Sequence, residues 1–412
     1  MKENKVIVVI GGGPAGIMAA GESAKNGNKV ILLEKNASLG RKLSICGKGR
    51  CNITNDTDVN GLMANIPSNG RFLYSAFNKF SNYDIINFFN KRGLKTKVER
   101  GGRVFPVSDD ACDVVLVLEK YLKERKVTVE YNAVVNKINT SDGKVVSVAL
   151  QGGRTIECDA VVVATGGKSY SATGSTGDGY KFARDLGHTI EPIKPSLVPL
   201  IIKEDWVKKL WGLSLKNVSI VIRDSNKKEI YKDFGEMIFT HYGVSGPIIL
   251  SASRHIVDYD YRGVSLAIDL KPALDTEKLD KRLIRDFEKY KNRQLKNSLN
   301  DLLPQKMIPV IIELSKVPED KMVNCITKKE RLGIVDLLKN LTMTIDGSRP
   351  INEAIVTKGG VRTNEIDPRT MESKIVKGLY FAGEVMDLDA YTGGFNLTIA
   401  FSTGYLAGIS QV

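Results

Sequence analysis

Glycines near the start of the chain have the spacing of a nucleotide-binding turn. Gly11, Gly13 and Gly16 follow directly after the apolar run 5–10. In such a turn the first glycine allows a sharp bend, the second leaves room for a pyrophosphate, and the third lets the next helix pack against the strand. That helix would present free N–H groups and the positive end of its dipole to the phosphates. The spacing therefore predicts a site for a dinucleotide.

An acidic residue completes this pattern. A second apolar run, 30–33, ends in Glu34, eighteen residues after Gly16. At the tip of a second parallel strand, a carboxylate accepts hydrogen bonds from a ribose hydroxyl. Strand, glycine turn, helix, strand and acid occur in the required order, so we predict a βαβ unit rather than an isolated glycine turn.

A second glycine cluster lies near the end of the chain. Gly383-Glu384, Asp387 and Gly393-Gly394 resemble the second FAD motif of glutathione-reductase-type flavoproteins, in which a late strand delivers an acid to the ribityl chain. Two motifs at opposite ends of the chain predict FAD. A helix beginning after the glycine pair would direct its N-terminus at the negative charge of a reduced flavin. The glycines of 174–179 follow no apolar strand, so we predict a loop there and no separate nicotinamide domain.

Composition limits the class of protein. The chain has 412 residues, of which 42% are hydrophobic and 26% charged, as in globular enzymes with two or three domains. No run approaches the roughly 18 apolar residues of a membrane span, so we expect no membrane association. The first strand begins almost at Met1, which leaves no room for a signal peptide and predicts a cytoplasmic protein.

Charge and cysteines point to no further partner. The 60 basic and 47 acidic residues give a net charge of +13, but the cations are spread along the whole chain. Solvated lysines explain this excess better than a nucleic-acid partner, for which no motif is present. Five cysteines without a CxxC pair predict neither a disulfide framework nor a metal site. Nothing in the sequence predicts the oligomeric state.

The chain changes character twice, which predicts an insert. Residues 1–192 and 346–412 have the strand-then-glycine pattern of a cofactor domain. Prolines and short alternating segments over 193–274 and 317–345 predict a β-barrel-like domain, and the leucine spacing of 275–316 predicts a helical insert.

The whole chain resembles the BaiN/YhiN family of FAD-dependent flavoproteins, which includes aminoacetone oxidase. The stretches that carry the resemblance are 40–55, 102–106, 164–179, 239–247 and 383–396. The resemblance implies an α/β fold in which a Rossmann-like FAD-binding domain of the glutathione-reductase type is interrupted by a small β-barrel and a helical segment.

The resemblance also implies a cofactor site assembled from both ends of the chain. The expected contacts run from the pyrophosphate and adenosine ribose, through the ribityl chain, to the flavin. The residues are Gly11, Gly13, Ala15, Gly16, Glu34, Lys35, Arg41, Lys42, Asn52, Val134, Thr165, Gly166, Gly383, Glu384, Asp387, Gly394, Asn396 and Leu397.

The family supports two reactions on a small or medium organic substrate held between the flavin and the insert. The leading expectation is NAD(P)H-linked reduction of a conjugated C=C bond, as in bile-acid-type enones, with NAD(P)H visiting the flavin transiently. The alternative is oxidation of a small amine such as aminoacetone by oxygen. A third hypothesis comes from a different class of protein: a flavin-containing protein that binds nucleic acid and catalyses no reaction.

A cysteine pair raises a further alternative. Cys46 stands where the family usually has serine, and Cys46 and Cys51 have the spacing of a redox disulfide. A flavin-containing disulfide reductase is thus a rival, although such enzymes carry their pair at the start of a helix and have a nicotinamide domain.

Two residues are candidates for catalysis. Hydride transfer at a flavin needs a positioned substrate more than a dedicated acid or base. His241, which precedes Tyr242 in the predicted insert, and Tyr391, just before the second glycine pair, are the expected proton donors or substrate contacts.

Overall fold

A computed structural model describes residues 4–411, which form two compact units. One unit, here called the terminal unit, contains the described residues up to Pro195 together with those from Ala354 onward. The other, the inserted unit, spans Ser196–Glu353. The domain boundaries predicted above stay predictions.

The described residues form strands and α-helices with the following bounds. The strands are β1 Val6–Ile10, β2 Lys29–Leu33, β3 Thr54–Asn55, β4 Thr96–Glu99, β5 Arg103–Pro106, β6 Thr128–Glu130, β7 Val135–Ser141, β8 Lys144–Leu150, β9 Thr155–Glu157, β10 Ala160–Val163, β11 Ile190–Ser196, β12 Leu200–Ile202, β13 Ser214–Arg223, β14 Glu229–Phe239, β15 Gly243–Ser245, β16 Ser265–Asp269, β17 Leu341–Ser348, β18 Val356–Val361 and β19 Leu379–Phe381. The α-helices are α1 Pro14–Lys25, α2 Arg41–Gly49, α3 Val59–Ala64, α4 Tyr74–Lys79, α5 Asn82–Lys91, α6 Ala111–Glu124, α7 Asp178–Asp185, α8 Trp206–Lys209, α9 Pro247–Ile256, α10 Thr276–Lys289, α11 Ile308–Ser315, α12 Lys328–Lys339 and α13 Phe395–Ile409.

The terminal unit is organised by a five-stranded parallel sheet in the order β19-β10-β1-β2-β6. Strand β10 is completely buried, as its unbroken apolar run predicts for a strand in the middle of the sheet. Helices α1 and α13 pack closely against one another because glycines face the partner backbone. A Cβ on Gly404 would lie 2.2 Å from the Ala15 carbonyl oxygen, and one on Gly408 would lie 2.6 Å from that of Ala19.

The inserted unit is built on a closed barrel in the order β12-β15-β14-β13-β16-β17. Its pairings are antiparallel, and inward-facing side chains such as Ile220 and Leu266 are fully buried. Helices α10, α11 and α12 lie between strands β16 and β17 along the chain. The leucine spacing that predicted the helical segment buries Leu279 and Leu283 on one face of α10.

The parallel sheet, the closed barrel and the helical segment confirm the fold class predicted from the sequence. Between residues 4 and 411, every helix is too short or too polar to cross a membrane. The cytoplasmic location and the absence of a nucleic-acid partner stay predictions.

Candidate functional site

The three glycines of the first motif differ in what surrounds them. Gly11 has φ +106, and a Cβ there would lie 2.6 Å from the Ala164 carbonyl oxygen. A Cβ on Gly16 would lie 1.9 Å from the Gly11 carbonyl oxygen. Gly13, the N-cap of α1, has an ordinary φ of −86° and no heavy atom within 4 Å of a built Cβ. The first and third positions therefore exclude a side chain by packing, and the second faces open space.

This open space is part of a cleft in the terminal unit. The cleft lies where β1, β2, β10 and β19 end, at the carboxyl edge of the parallel sheet, where α/β sheets bind ligands. The predicted cofactor residues that line it are Gly11, Gly13, Ala15, Glu34, Lys35, Arg41, Lys42, Val134, Thr165, Gly166, Gly383, Glu384, Asn396 and Leu397. Residues from both ends of the chain thus meet at one cavity.

The Glu34 carboxylate connects the glycine turn to the end of β2. It is almost completely buried and accepts hydrogen bonds from the backbone N–H of Gly12 at 2.8 Å and of Asn36 at 2.8 Å. The Asn36 side-chain amide donates a third hydrogen bond at 2.6 Å. A carboxylate accepts about four hydrogen bonds, so Glu34 has acceptor capacity left for a ribose hydroxyl in the cleft.

A segment that the sequence predicted only as a loop forms part of the rim. The Lys35 ammonium lies 2.7 Å from an Asp178 carboxylate oxygen and donates to the Thr176 hydroxyl at 2.5 Å. The Asn36 amide also donates to the Thr173 carbonyl oxygen. Residues 173–178 are therefore held against the end of β2. The signals for this segment in the sequence were its glycines, which allow a close approach, and its place in the stretch 164–179 that carries the family resemblance.

On another wall of the cleft, Lys42 is bound by two acceptors. Its ammonium lies 2.9 Å from Glu384 Oε2 and 2.7 Å from Ser169 Oγ. The other carboxylate oxygen, Oε1, accepts from the Thr357 backbone N–H at 2.9 Å. An ammonium has three N–H donors, so one donor of Lys42 is left for a ligand in the cleft.

Helix α13 directs its N-terminus toward the cleft because its glycine cap packs on β3. A Cβ on Gly394 would lie 2.3 Å from the Thr54 carbonyl oxygen, and the hydroxyls of Thr54 and Thr398 lie 2.7 Å apart. The Asn396 amide donates to the Ala390 carbonyl oxygen at 2.7 Å and accepts from the Ala390 N–H at 2.9 Å. Both contacts fix the first turn of a helix whose dipole favours negative charge.

Four predicted cofactor residues do not line the cleft: Gly16, Asn52, Asp387 and Gly394. Gly16 and Gly394 support its walls through backbone packing. Asp387 accepts hydrogen bonds from the Asn69 amide and the Gly359 N–H, and burial raises the pKa of its carboxyl group. Their direct contacts with a cofactor stay predictions.

The cleft has features that FAD would satisfy. The Thr165 hydroxyl, at the cleft wall, is buried without a hydrogen-bond partner among the described residues. The open space at Gly13 has room for a pyrophosphate. Lys35 and Lys42 are paired with Asp178 and Glu384, and Arg41 adds a guanidinium that donates to the Asn36 side chain. Donors, charge and space therefore fit an elongated anionic dinucleotide.

The two candidate catalytic residues belong to different units. Tyr391, in the terminal unit, donates its backbone N–H to the Asn65 carbonyl oxygen at 3.0 Å. His241, in the inserted unit, is exposed and lies edge-on to Trp211 and Tyr242, with ring centroids 6.0 and 4.7 Å away. Neither residue lines the cleft of the terminal unit, and their catalytic roles stay predictions.

Cys46 and Cys51 are free thiols, and Cys46 lines the cleft. Helix α2 is interrupted at Cys46, where ψ is 146° and the following Gly47 and Lys48 adopt left-handed conformations. Burial raises the pKa of the Cys46 thiol and that of Cys51 well above its ordinary value. Protonated thiols react poorly in disulfide exchange, which depends on the thiolate.

A parallel βαβ sheet with a glycine turn at its carboxyl edge, and a cleft completed by the last helix, define a dinucleotide-binding protein of the Rossmann class. The chain belongs to the HI0933-like protein Rossmann domain family, whose profile matches residues 5–410. This confirms the family predicted from the sequence.

Relatives cover nearly the whole chain. A 3-dehydro-bile acid delta(4,6)-reductase from Clostridium scindens is 33% identical over 98% of this chain and 98% of its own length. A ribosomal RNA dihydrouridine synthase from Escherichia coli is 31% identical over 97% of this chain and 96% of its own. The chain is accordingly an oxidoreductase of the FAD-dependent flavoproteins.

A solved structure shows the same fold. The 3-ketosteroid-delta4-(5alpha)-dehydrogenase from Rhodococcus jostii is similar with a TM-score of 0.54 over 99% of this chain and 97% of its own. At 14% sequence identity, this likeness concerns the fold alone.

Proposed function

We propose that this protein binds FAD in the cleft of the terminal unit and reduces a C=C bond conjugated to a carbonyl group. The observation that supports this most is the convergence of the Gly13 turn, Lys42 and the N-terminus of α13 on one cleft. When bound there, FAD supplies the chemistry of accepting and delivering a hydride.

The residues of the cleft have separate roles in this proposal. The turn at Gly11 and Gly13, with the N-terminus of α1, binds the pyrophosphate. Glu34 accepts from the adenosine ribose. Lys42 and the N-terminus of α13 supply positive charge, which favours the anionic form of a reduced flavin.

A bile-acid-type enone with NAD(P)H as reductant is the leading substrate class. The C. scindens relative is named for such a reduction and aligns over nearly its whole length. A double bond conjugated to a ketone accepts a hydride at its β-carbon, because the carbonyl oxygen takes up the developing negative charge. The carbon next to the carbonyl then requires a proton.

A uridine in ribosomal RNA is the second candidate. The synthase relatives from E. coli and Haemophilus influenzae are both 31% identical to this chain over most of its length. The C5=C6 bond of uracil is conjugated to the C4 carbonyl, so its reduction follows the same pattern of hydride and proton addition.

Both reactions require a proton donor, so the two candidate catalytic residues can be tested by substitution. Tyr391→Phe and His241→Ala would each lower turnover if the side chain donates a proton or contacts substrate. Both variants should retain bound FAD, because neither residue lines the cleft. Unchanged kinetics in both variants would remove these residues from the mechanism.

One experiment separates reductase from oxidase. The purified yellow protein is mixed anaerobically with NADH, NADPH or aminoacetone while flavin absorbance is followed. We expect bleaching by a nicotinamide, and recovery on adding either a conjugated bile-acid enone or unmodified ribosomal RNA. Bleaching by aminoacetone, with fast peroxide formation in air, would favour the amine oxidase. No bleaching by any of them would contradict both.

A further inference from the structure

The inserted unit carries a row of planar side chains on its surface. Trp211 is 62% exposed, and its ring lies 6.0 Å from that of the exposed His241. The His241 ring lies 4.7 Å from that of Tyr242, which in turn has the Arg349 guanidinium 4.6 Å from its centroid. We call Trp211, His241, Tyr242 and Arg349 the aromatic row. Single exposed aromatic residues are common, but a contiguous series of them marks an interaction site.

The backbone holds the aromatic row in place. Gly212 donates to the Phe239 carbonyl oxygen at 2.9 Å, which fixes the chain just after Trp211. His241 and Tyr242 occupy the tight turn between β14 and β15, closed by a hydrogen bond of 2.8 Å from the Thr240 N–H to the Gly243 carbonyl oxygen. Because the backbone next to these rings is held before binding, little main-chain freedom is lost when a ligand stacks on them.

Arg349 is positioned by a neighbouring carboxylate. Its guanidinium donates to Glu353 at 2.9 and 2.6 Å and is stacked on Tyr242 at the same time. A stacked arginine presents a flat face to a planar ligand and spare N–H groups to an anion. The aromatic row thus ends in a guanidinium with a flat face for a planar ligand, although Glu353 offsets its charge.

Cations also lie at the Trp211 end. Lys208 and Lys209 precede it on α8, and the Lys306 ammonium donates to the Trp211 carbonyl oxygen. Lys208 and Lys209 are paired with Asp205 and Glu313, but these pairs are exposed and therefore weak. Lys306 has no carboxylate partner among the described residues. Lys306 therefore supplies positive charge that no described carboxylate offsets at the Trp211 end of the aromatic row.

We propose that the aromatic row is a docking surface for unpaired bases of RNA. Stacking rings combined with flanking cations are the features by which proteins bind single-stranded nucleic acid. The proposal depends on the second candidate function, in which the substrate is a uridine of RNA. A neutral steroid would use the rings but would have no use for the ammonium of Lys306.

Trp211 allows this to be tested directly, because the chain contains only one other tryptophan, Trp206. In a Trp206→Phe holoenzyme, titration with a short oligouridylate should quench the remaining tryptophan fluorescence to saturation. A matched Trp211→Phe holoenzyme, which keeps Trp206, should show little quenching. Equal quenching in both variants, or none in either, would overturn the proposal.

Affinity gives a second measurement. By fluorescence anisotropy of a labelled oligouridylate, Trp211→Ala should bind about tenfold more weakly than wild type, and Trp211→Phe should keep most of the affinity. Phe234→Ala is the matched control, since Phe234 is 55% exposed in the same unit but lies outside the row, and it should bind normally. Lys306→Met should lower the salt dependence of log K by about 0.7.

The outcomes distinguish the docking surface from the proposed function. Wild-type affinity for oligouridylate in Trp211→Ala would overturn the proposed docking surface. Quenching of Trp211 fluorescence by a steroid enone and not by RNA would overturn it as well. Loss of oligouridylate binding with unchanged urea midpoint in Trp211→Ala would support it. If RNA binds through Trp211 but its uridine is never reduced, the second candidate function fails while the docking surface stands.

Discussion

The Lys42 ammonium lies 2.9 Å from the Glu384 carboxylate, although the two residues are 342 positions apart in the chain. The pair joins α2, from the first part of the terminal unit, to the turn after β19, from its last part. Both side chains are mostly buried, with 25% and 19% of their surface exposed. This ion pair orients a lysine at the wall of the cleft, and in the proposed function the carboxylate would act on FAD through Lys42.

We expect this coupling to appear in a double-mutant cycle. Lys42→Met leaves a mostly buried carboxylate without its cation and should lower the free energy of unfolding by about 1–3 kcal/mol. The double variant Lys42→Met/Glu384→Gln should lose less than the sum of the single variants, with a coupling energy of about 1–2 kcal/mol. Urea unfolding and FAD dissociation constants measure both effects. Additive losses would show that the pair does not work as a unit.

Two glycine variants should separate folding from cofactor binding. Gly13 has an ordinary φ, and a Cβ built on it has no neighbour within 4 Å. Gly13→Ala should therefore change the free energy of unfolding by less than about 0.5 kcal/mol. The added methyl group fills the space expected for the pyrophosphate and should weaken FAD binding at least about tenfold. Gly13→Ala with wild-type FAD affinity would place the pyrophosphate elsewhere.

Gly394→Ala is the matched contrast, because Gly394 has φ +99 and a Cβ there would lie 2.3 Å from the Thr54 carbonyl oxygen. The substitution strains the backbone and separates α13 from β3. It should lower the free energy of unfolding by about 2 kcal/mol or more, measured on the protein without cofactor. A neutral effect would mean that the cap can move away from β3.

The buried His188 should make stability depend on pH. Its Nδ1 lies 3.2 Å from Glu365 and its Nε2 2.8 Å from the Ser373 hydroxyl. Burial lowers the pKa of His188 from its ordinary 6.5, and the neighbouring Glu365 only partly opposes this. The unfolded chain therefore binds the proton more readily than the folded chain. The contribution of neutral His188 to the free energy of unfolding is fully present above about pH 6.5, and it is lost as the pH decreases toward the lower pKa of the folded state.

This loss should reach at most about 1.4 kcal/mol per pH unit. Urea unfolding across this pH range measures it, with His188→Gln as the control because glutamine keeps hydrogen-bonding groups but does not titrate. The variant should be less stable at neutral pH and should lack this part of the pH dependence. Equal slopes in both proteins would contradict the assignment to His188.

Features that depend on residues close together in the chain could be predicted from the sequence. Gly11, Gly13 and Glu34 lie within one βαβ unit, so their spacing alone predicted a turn and an acid at the edge of a sheet. The apolar run of β10 predicted a place inside the sheet rather than at its edge, and the glycine pair before Phe395 predicted the start of α13. Local periodicity and turn chemistry are read directly from residue order.

Contacts between distant segments could not be predicted in this way. No pattern indicates that Lys35 meets Asp178, or that Ser169 meets Lys42, because each pairing depends on how β2, β10 and α2 pack. The same holds for Asn396, whose amide binds backbone groups of Ala390. The row from Trp211 to Arg349 brings together three places in the inserted unit, and the sequence singled out only one of them, His241 with Tyr242.

The cysteine pair provides the test of the remaining enzyme alternative, the disulfide reductase. Because burial raises the pKa of Cys46 and Cys51, both should react slowly with iodoacetamide at neutral pH, whereas the exposed Cys325 should react first. Mass spectrometry of timed samples gives the order. The variant Cys46→Ser/Cys51→Ser should retain bound flavin and its reduction by a nicotinamide. Rapid alkylation of Cys51, or loss of flavin reoxidation by substrate in that variant, would instead establish the pair as part of the reaction.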